Sequence, residues 1–224
     1  MQTFHAPVSS LRDGAADIIP GEVFGRLINL SGRRRFTSQR LVLYAVLALQ
    51  GRADAIAVAR SALALFDDAH ASLLRKNGEL PGVFCEPLQR AYFGPAKGDE
   101  RIRGFSVLAQ RTLDAIEAGR RQAAELLEQL IDATTPMLDT LNSITAIYED
   151  ESRGHAQRLE KRRQGVMHDI ESIASEARMV ALNAQVIAAR AGSAGREFAV
   201  VGSRLSDITG QIDGLVRQAL QKAA

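Results

Sequence analysis

The segment of residues 31–40, SGRRRFTSQR, holds the side chains best suited to binding chemistry in this chain. Arginine is always charged, and its planar fork of N–H donors matches oxyanions. Small polar residues and glycine beside it add hydroxyl groups and permit close approach to the backbone. The segment therefore indicates an anion site.

On a helix, Ser31, Arg35 and Ser38 share one face by steps of four and three, and Gly32 lies beside them. We expect Arg35 to point into a seam between helices, where two copies of its charge repel until an anion neutralises them. A purely structural role for Arg35 is the alternative. The other arginines of the segment are expected to form a solvated face: Arg33, Arg34 and Arg40.

No other set of residues has the spacing of a catalytic or metal site. The four histidines show no ligand spacing, and a lone Cys85 excludes an internal disulfide or a cysteine metal cluster. His70 is expected to be a packed or surface residue and not a metal ligand. The chain lacks a phosphate loop and a nucleophile elbow, so we expect a protein that is not an enzyme and needs no cofactor.

The composition, with 46% hydrophobic and 24% charged residues, is that of an ordinary globular protein. A net charge of +2, from 28 basic and 26 acidic residues, gives no overall electrostatic reason to bind nucleic acid. The longest apolar run, residues 41–49, is far shorter than the roughly 20 residues that cross a bilayer. With no leader-like amino terminus, the expectation is a cytoplasmic protein without a membrane span.

Long stretches rich in Ala, Leu, Arg, Glu and Gln, with no alternation of period two, predict an all-α fold. A loop rich in proline and glycine is expected over residues 77–99, with a short helical turn at 86–92. The longer helices are predicted over residues 22–50, 54–76 and 100–133.

Thr134, Thr135 and Pro136 form a helix-start signal, a hydroxyl cap followed by proline. From there the helical pattern continues to Ala191, which is too long for a compact domain and implies a stalk. We therefore predict a four-helix sensor bundle over residues 22–150, continued by a long helix into a coiled-coil hairpin over 151–224.

The last third of the chain carries a heptad seam, in which apolar or small residues recur by steps of four and three. Its first run is Val166, Ile170, Ile173, Ala177, Val180, Ala184, Ile187 and Ala191, and its second is Phe198, Val201, Leu205, Ile208, Ile212, Leu215 and Ala219. Glycines within residues 191–195 allow the chain to reverse between them. The pattern predicts an antiparallel hairpin that pairs with a second copy.

Residues 180–205, VALNAQVIAARAGSAGREFAVVGSRL, resemble the hairpin tip of the signalling domain of methyl-accepting chemotaxis proteins. The resemblance implies receptor dimers, clusters of dimers, and contact with a histidine kinase and its coupling adaptor. It assigns Arg190 and Phe198 to the contact between dimers, and Asn183 and Val200 to the region that meets kinase or adaptor. Ile187 replaces a glutamate of the family, which is expected to shift partner choice.

Residues 29–40, NLSGRRRFTSQR, resemble the motif N-L-A-G-x-x-R-M-x-S-Q-R of the sensor domain found in type IV pilus chemotaxis transducers and nitrate/nitrite sensors. In the nitrate-sensing members, the motif's arginine from each of two subunits grips one anion, assisted by the glycine backbone. The resemblance gives that role to Arg35 and Gly32, with Ser31 and Ser38 as supports.

Together these features predict a homodimeric, chemoreceptor-like transducer that senses a small anion, nitrate or nitrite above all. It would signal through its hairpin to a chemotaxis kinase and adaptor. The alternative is a dimeric helical scaffold that senses nothing and docks onto chemoreceptor or type IV pilus signalling complexes.

Overall fold

A computed structural model describes residues 19–221 of the chain. These residues form no β-strand, and the predicted all-α fold with a long helix is confirmed. The helices are α1 (Gly21–Leu49), α2 (Ala55–Leu74), α3 (Glu86–Phe93), α4 (Gly98–Glu117), α5 (Ala123–Arg190) and α6 (Arg196–Gln221), with a 3-10 turn at Gly192–Gly195. The chain divides between Arg153 and Gly154 into two compact units, named here the bundle and the hairpin.

The bundle is held by one apolar core to which α1, α2, α3, α4 and the first part of α5 all contribute. Each helix presents large apolar residues at steps of three and four, so that one stripe is buried. The fully buried members include Leu27, Leu41, Phe66, Leu73, Leu88, Tyr92, Ile102, Leu113, Leu130, Leu141 and Tyr148. The predicted bounds of α1, α2 and the short α3 agree with the structure to within two residues.

The predicted helix over residues 100–133 is wrong, because a turn after Ala118 divides it. Gly119 has a φ of +60°. Its N–H donates to the Ile116 carbonyl at 3.0 Å, and the Arg120 N–H donates to the Ala115 carbonyl at 2.9 Å. This pair of bonds is the Schellman motif, which ends a helix with glycine in the left-handed conformation. The stop signal was therefore present in the sequence and was missed.

The predicted helix start at Pro136 is also wrong, because Pro136 lies inside α5. Proline inside a helix removes one hydrogen bond and costs about 3 kcal/mol. Leu126, Leu127 and Leu130, all buried upstream of it, hold that part of the chain in the helix. Core packing overrides the local signal here.

The hairpin consists of residues 154–190 of α5, the 3-10 turn and α6. Its buried seam consists of residues at a step of seven, nearly all of them small: Ala174, Ala181 and Ala188 on α5, Gly195 at the turn, and Gly202, Thr209 and the larger Val216 on α6. A Cβ atom placed on Gly202 would lie 3.1 Å from the Ala181 carbonyl oxygen, which shows how closely the two helices approach.

The predicted seam of the hairpin is correct for six of its fifteen positions. Ile170, Ala177, Ala184, Leu205, Ile212 and Ala219 are half-buried beside the small residues. The other nine positions are exposed: Ala191, Phe198 and seven large residues named here the outer stripe, which are Val166, Ile173, Val180, Ile187, Val201, Ile208 and Leu215. The hairpin turns alanine and glycine inward because they permit the closest packing of two helices, and its large apolar residues then face outward.

The close approach at the turn predicts a strong effect of Gly195→Ala. A Cβ atom on Gly195 would lie 2.8 Å from the Cα atom of Ala188 and would also clash with its carbonyl oxygen. The clashing atoms belong to the backbone, so relieving the clash requires the two helices to move apart. We therefore expect the free energy of unfolding to fall by about 1–3 kcal/mol. Thermal unfolding followed by circular dichroism measures the change.

Gly210→Ala is the matched control, because nothing lies within 4 Å of a Cβ atom at that position of α6. In a helix interior, alanine is favoured over glycine by about 1 kcal/mol. This variant should melt at the temperature of the unchanged chain or above it. Equal melting of both variants would contradict the tight turn.

Candidate functional site

The three consecutive arginines of α1 point in three different directions. Arg33 is exposed, Arg35 is half-buried, and Arg34 is completely buried, with an exposed fraction of 0%. The prediction that Arg34 belongs to a solvated face is therefore wrong. Position 34 lies on the buried stripe of α1, which runs through Leu27, Ser31, Arg34, Ser38 and Leu41. The steps of four and three along this stripe were the signal that could have revealed it.

The buried guanidinium of Arg34 bonds to neutral groups from two helices. Its Nη2 donates to the Ser31 hydroxyl at 2.9 Å, and its Nη1 donates to Nδ1 of His70 on α2 at 3.2 Å. The guanidinium carbon lies 5.9 Å from the centre of the Tyr92 ring, in the range of a cation–π contact. Its Nε has no partner in the part of the chain that the structure describes.

The carboxylate of Asp99 balances the charge of Arg34, and the imidazole of His70 connects the two groups by hydrogen bonds. Arginine has no acceptor, so Nδ1 of His70 must accept, and the ring proton of the neutral imidazole is on Nε2. That nitrogen lies 2.9 Å from Oδ1 of Asp99 on α4, to which it donates. Arg103 donates to the same oxygen at 2.9 Å. A chain of bonds thus links α1, α2 and α4 inside the bundle.

The surroundings of His70 keep its ring neutral. Burial lowers the pKa of His70 most, the charge of Arg34 lowers it as well, and Asp99 opposes both, so that the pKa falls from 6.5 to about 4. Burial also raises the pKa of Tyr148, whose hydroxyl lies 3.4 Å from that of Tyr92. The buried polar groups around Arg34 are therefore uncharged, and Asp99 supplies the counter-charge at their edge.

A second line of hydrogen bonds joins α1 to α5. The Thr145 hydroxyl donates to the Leu141 carbonyl at 2.7 Å, so its single proton is committed. Ser31, 2.8 Å away, must then be the donor to Thr145. Because Ser31 also accepts from Arg34, the bonds run in one direction from the guanidinium to the backbone of α5.

The structure brings two of the four predicted ligand residues together, Arg35 and Gly32. Nη2 of Arg35 lies 3.7 Å from the position of a Cβ atom on Gly32, so the absent side chain leaves space beside the guanidinium. Nη1 of Arg35 donates to the side-chain oxygen of Asn142 on α5 at 3.2 Å, in an exposed setting.

The hydroxyls of Ser31 and Ser38 are engaged inside the bundle. Both residues have an exposed fraction of 0%, and the Ser38 hydroxyl donates to the Arg35 carbonyl at 2.9 Å. Their supporting role toward a ligand stays a prediction. Four further residues take part in these contacts: His70, Asp99, Asn142 and Thr145. The bonds that connect them join residues 29 to 114 positions apart in the sequence, and no local pattern predicts them.

The predicted partner residues of the hairpin are all exposed near its turn. Phe198 and Val200 have exposed fractions of 69% and 68%, and Asn183 and Arg190 are also on the surface. The side chains are accessible to a partner, and their assigned roles stay predictions.

Other features of residues 19–221 add no reactive site. No group of three potential ligands there is placed to hold a metal ion, and His70 is packed in the core. Cys85 is half-buried, and burial raises the pKa of its thiol. Nor does any helix in this range combine the length and apolar character needed to span a bilayer.

Comparison with known proteins adds one relative. No known family profile matches the chain, and no solved structure does. The methyl-accepting chemotaxis protein NahY of Pseudomonas putida is 25% identical over 211 residues. This similarity supports a relationship to the methyl-accepting chemotaxis proteins. The aligned region covers 90% of this chain, so it includes parts of both the bundle and the hairpin. It covers only 37% of the relative's length.

The depressed pKa of His70 predicts acid-sensitive stability. An ordinary pKa of 6.5 in the unfolded chain and about 4 in the fold means that the unfolded state binds the proton first. The stabilisation is complete above pH 6.5 and is lost as the pH falls toward 4, amounting to about 2 kcal/mol between pH 7 and 4.5. Urea unfolding at these two pH values measures the loss.

His70→Gln is the control variant, because its amide keeps one acceptor and one donor and does not titrate. Carboxylates that titrate near pH 4 contribute equally to both proteins, so the difference between them isolates His70. The same loss of stability in both proteins would show that His70 is not the responsible group.

Proposed function

We propose that this protein is a homodimeric chemotaxis signal transducer that senses a small anion in its bundle and signals through its hairpin. The observation that carries the proposal is the hairpin itself, a tight glycine turn with exposed Phe198 and Val200, in a chain similar to a methyl-accepting chemotaxis protein. A chemotaxis histidine kinase and its coupling adaptor are the proposed partners of this tip.

The outer stripe supports pairing with a second copy. Its large side chains are 43% to 67% exposed in the single chain and recur at seven-residue steps on each arm. Apolar side chains with this seven-residue period become buried when they pack against the same side chains of a second hairpin. Each such side chain contributes about 1.5–3 kcal/mol when fully buried, so a row of them favours a four-helix assembly of two hairpins.

The setting of Arg35 supports anion binding. In the single chain, Nη1 donates to a neutral amide oxygen, and an anion held by both Nη atoms would form stronger, charge-assisted bonds. We propose nitrate or nitrite as the ligand, held between the Arg35 residues of two copies with the help of Gly32.

The contact with Asn142 gives this site a route to the output. Asn142 is on α5, the helix that continues to Arg190. An anion that draws Arg35 away from Asn142 changes a bond between α1 and the helix that leads into the hairpin. Ligand binding and signalling would then be linked by one side-chain contact.

A dimeric scaffold that senses nothing is the second candidate. The hydroxyls of Ser31 and Ser38 favour it, because both form hydrogen bonds within the bundle without a ligand. Such a scaffold would dock onto chemoreceptor or type IV pilus signalling complexes through the same exposed tip.

Calorimetric titration with nitrate and nitrite separates the two candidates. We expect one anion per two chains, and at least tenfold weaker binding by Arg35→Ala, because a charge-assisted bond contributes about 1.5–3 kcal/mol. Arg33→Ala, which removes an equal charge from an exposed position, should bind nearly as the unchanged chain does. If neither anion binds, the scaffold is the correct function.

The outer stripe predicts the effect of Val180→Asp on assembly. Val180 is 61% exposed in the single chain, so aspartate leaves the packing of the hairpin intact and places a charge in the interface between copies. We expect the dimer dissociation constant to rise at least tenfold in analytical ultracentrifugation. Ser203→Asp, an exposed position of α6 outside the stripe, is the control, and a monomeric unchanged chain would refute the dimer.

A further inference from the structure

A groove between α4 and α5 forms a second candidate binding site in the bundle. It consists of two adjoining hollows with volumes of about 360 and 280 Å³. Arg101 and Pro136 line both hollows and so mark their junction. None of the lining residues belongs to the motif of α1.

The larger hollow has an apolar floor and is open because of a glycine. Phe105 and Leu108 on α4 and Met137 on α5 line it. A Cβ atom on Gly104 would find nothing within 4 Å, so the missing side chain leaves the space unfilled. Its volume lies in the range of small-molecule sites, which are mostly apolar with a few polar groups.

The polar groups of the groove select the charge of the ligand. Arg101 is exposed, and no side-chain partner of its guanidinium is found in residues 19–221, whereas Arg103 on the same helix is bonded to Asp99. The hydroxyls of Thr140 and Ser143 in the smaller hollow donate to carbonyls of α5 at 2.9 Å. Arg101 is therefore the group that remains available to a ligand.

A carboxylate matches this arrangement better than a polyanion. Asp139 lines the smaller hollow and repels a second negative group. The guanidinium fork binds a carboxylate with two parallel hydrogen bonds. The apolar floor adjoining it has room for a compact hydrocarbon group.

We propose that the α4–α5 groove binds a hydrophobic monocarboxylate, with its hydrocarbon group in the hollow beside Gly104 and its carboxylate on Arg101. This ligand class and position are independent of the anion proposed at Arg35. A second effector would then act on the same segment of α5 that carries the Asn142 contact.

Calorimetric titration of the full chain with octanoate tests the site, with octanamide as the uncharged comparison. We expect one octanoate per chain and little binding of octanamide. Arg101→Met keeps the apolar stem and removes the charge, and should weaken octanoate binding about tenfold or more. Arg111→Met, which alters an exposed arginine of α4 outside the groove, should bind octanoate as the unchanged chain does.

Gly104→Leu fills the hollow without endangering the fold, because leucine is a better helix former than glycine. This variant should lose octanoate binding, keep its melting temperature and retain the sedimentation of the unchanged chain. Four results would overturn the proposal: no binding of octanoate, equal binding of octanamide, undiminished binding by Gly104→Leu, or altered sedimentation of that variant. The last would show that a second copy of the chain covers the groove.

Discussion

The buried charge of Arg34 is the constraint on which the arrangement of the bundle depends. A guanidinium removed from water is stable only if its donors are engaged and its charge is balanced. Ser31 and His70 engage two of its nitrogens, and Asp99 balances the charge through the neutral imidazole. Because these groups come from α1, α2 and α4, the network fixes the rotation of each helix about its own axis. Loss of a hydrogen bond to a charged group typically costs about 1.5–3 kcal/mol.

The fixed rotation of α1 decides what its neighbouring arginines can do. With Arg34 directed inward, Arg33 faces solvent and Arg35 reaches the surface of α5 at Asn142. Ser31 and Thr145 join the same two helices inside the core. The exposed contact is the weaker one, since solvent competes for it. The bundle thus joins α1 to α5 by one contact inside the core and by one contact that solvent can reach.

The hairpin follows a different packing rule, in which small residues determine the geometry. Ala181 and Gly202 let the two arms approach closely, and the large apolar residues then remain outside. Heptad periodicity correctly indicated two packed helices, but it did not distinguish the buried seam from the outer stripe. Both rows of residues have the same period, and only the sizes of the residues separate them.

Local signals in the sequence were sufficient for α1, α2, α3 and the hairpin turn, because glycine, proline and helical periodicity act over a few residues. They misplaced the break at Gly119 and the start of α5, where a helix-ending glycine was overlooked and core packing outweighed a proline. Tertiary structure alone decided the partners of Arg34. Adjacent residues on a helix differ in direction by about 100°, and the groups that set the rotation of α1, such as His70 and Thr145, are 36 and 114 residues away from their partners.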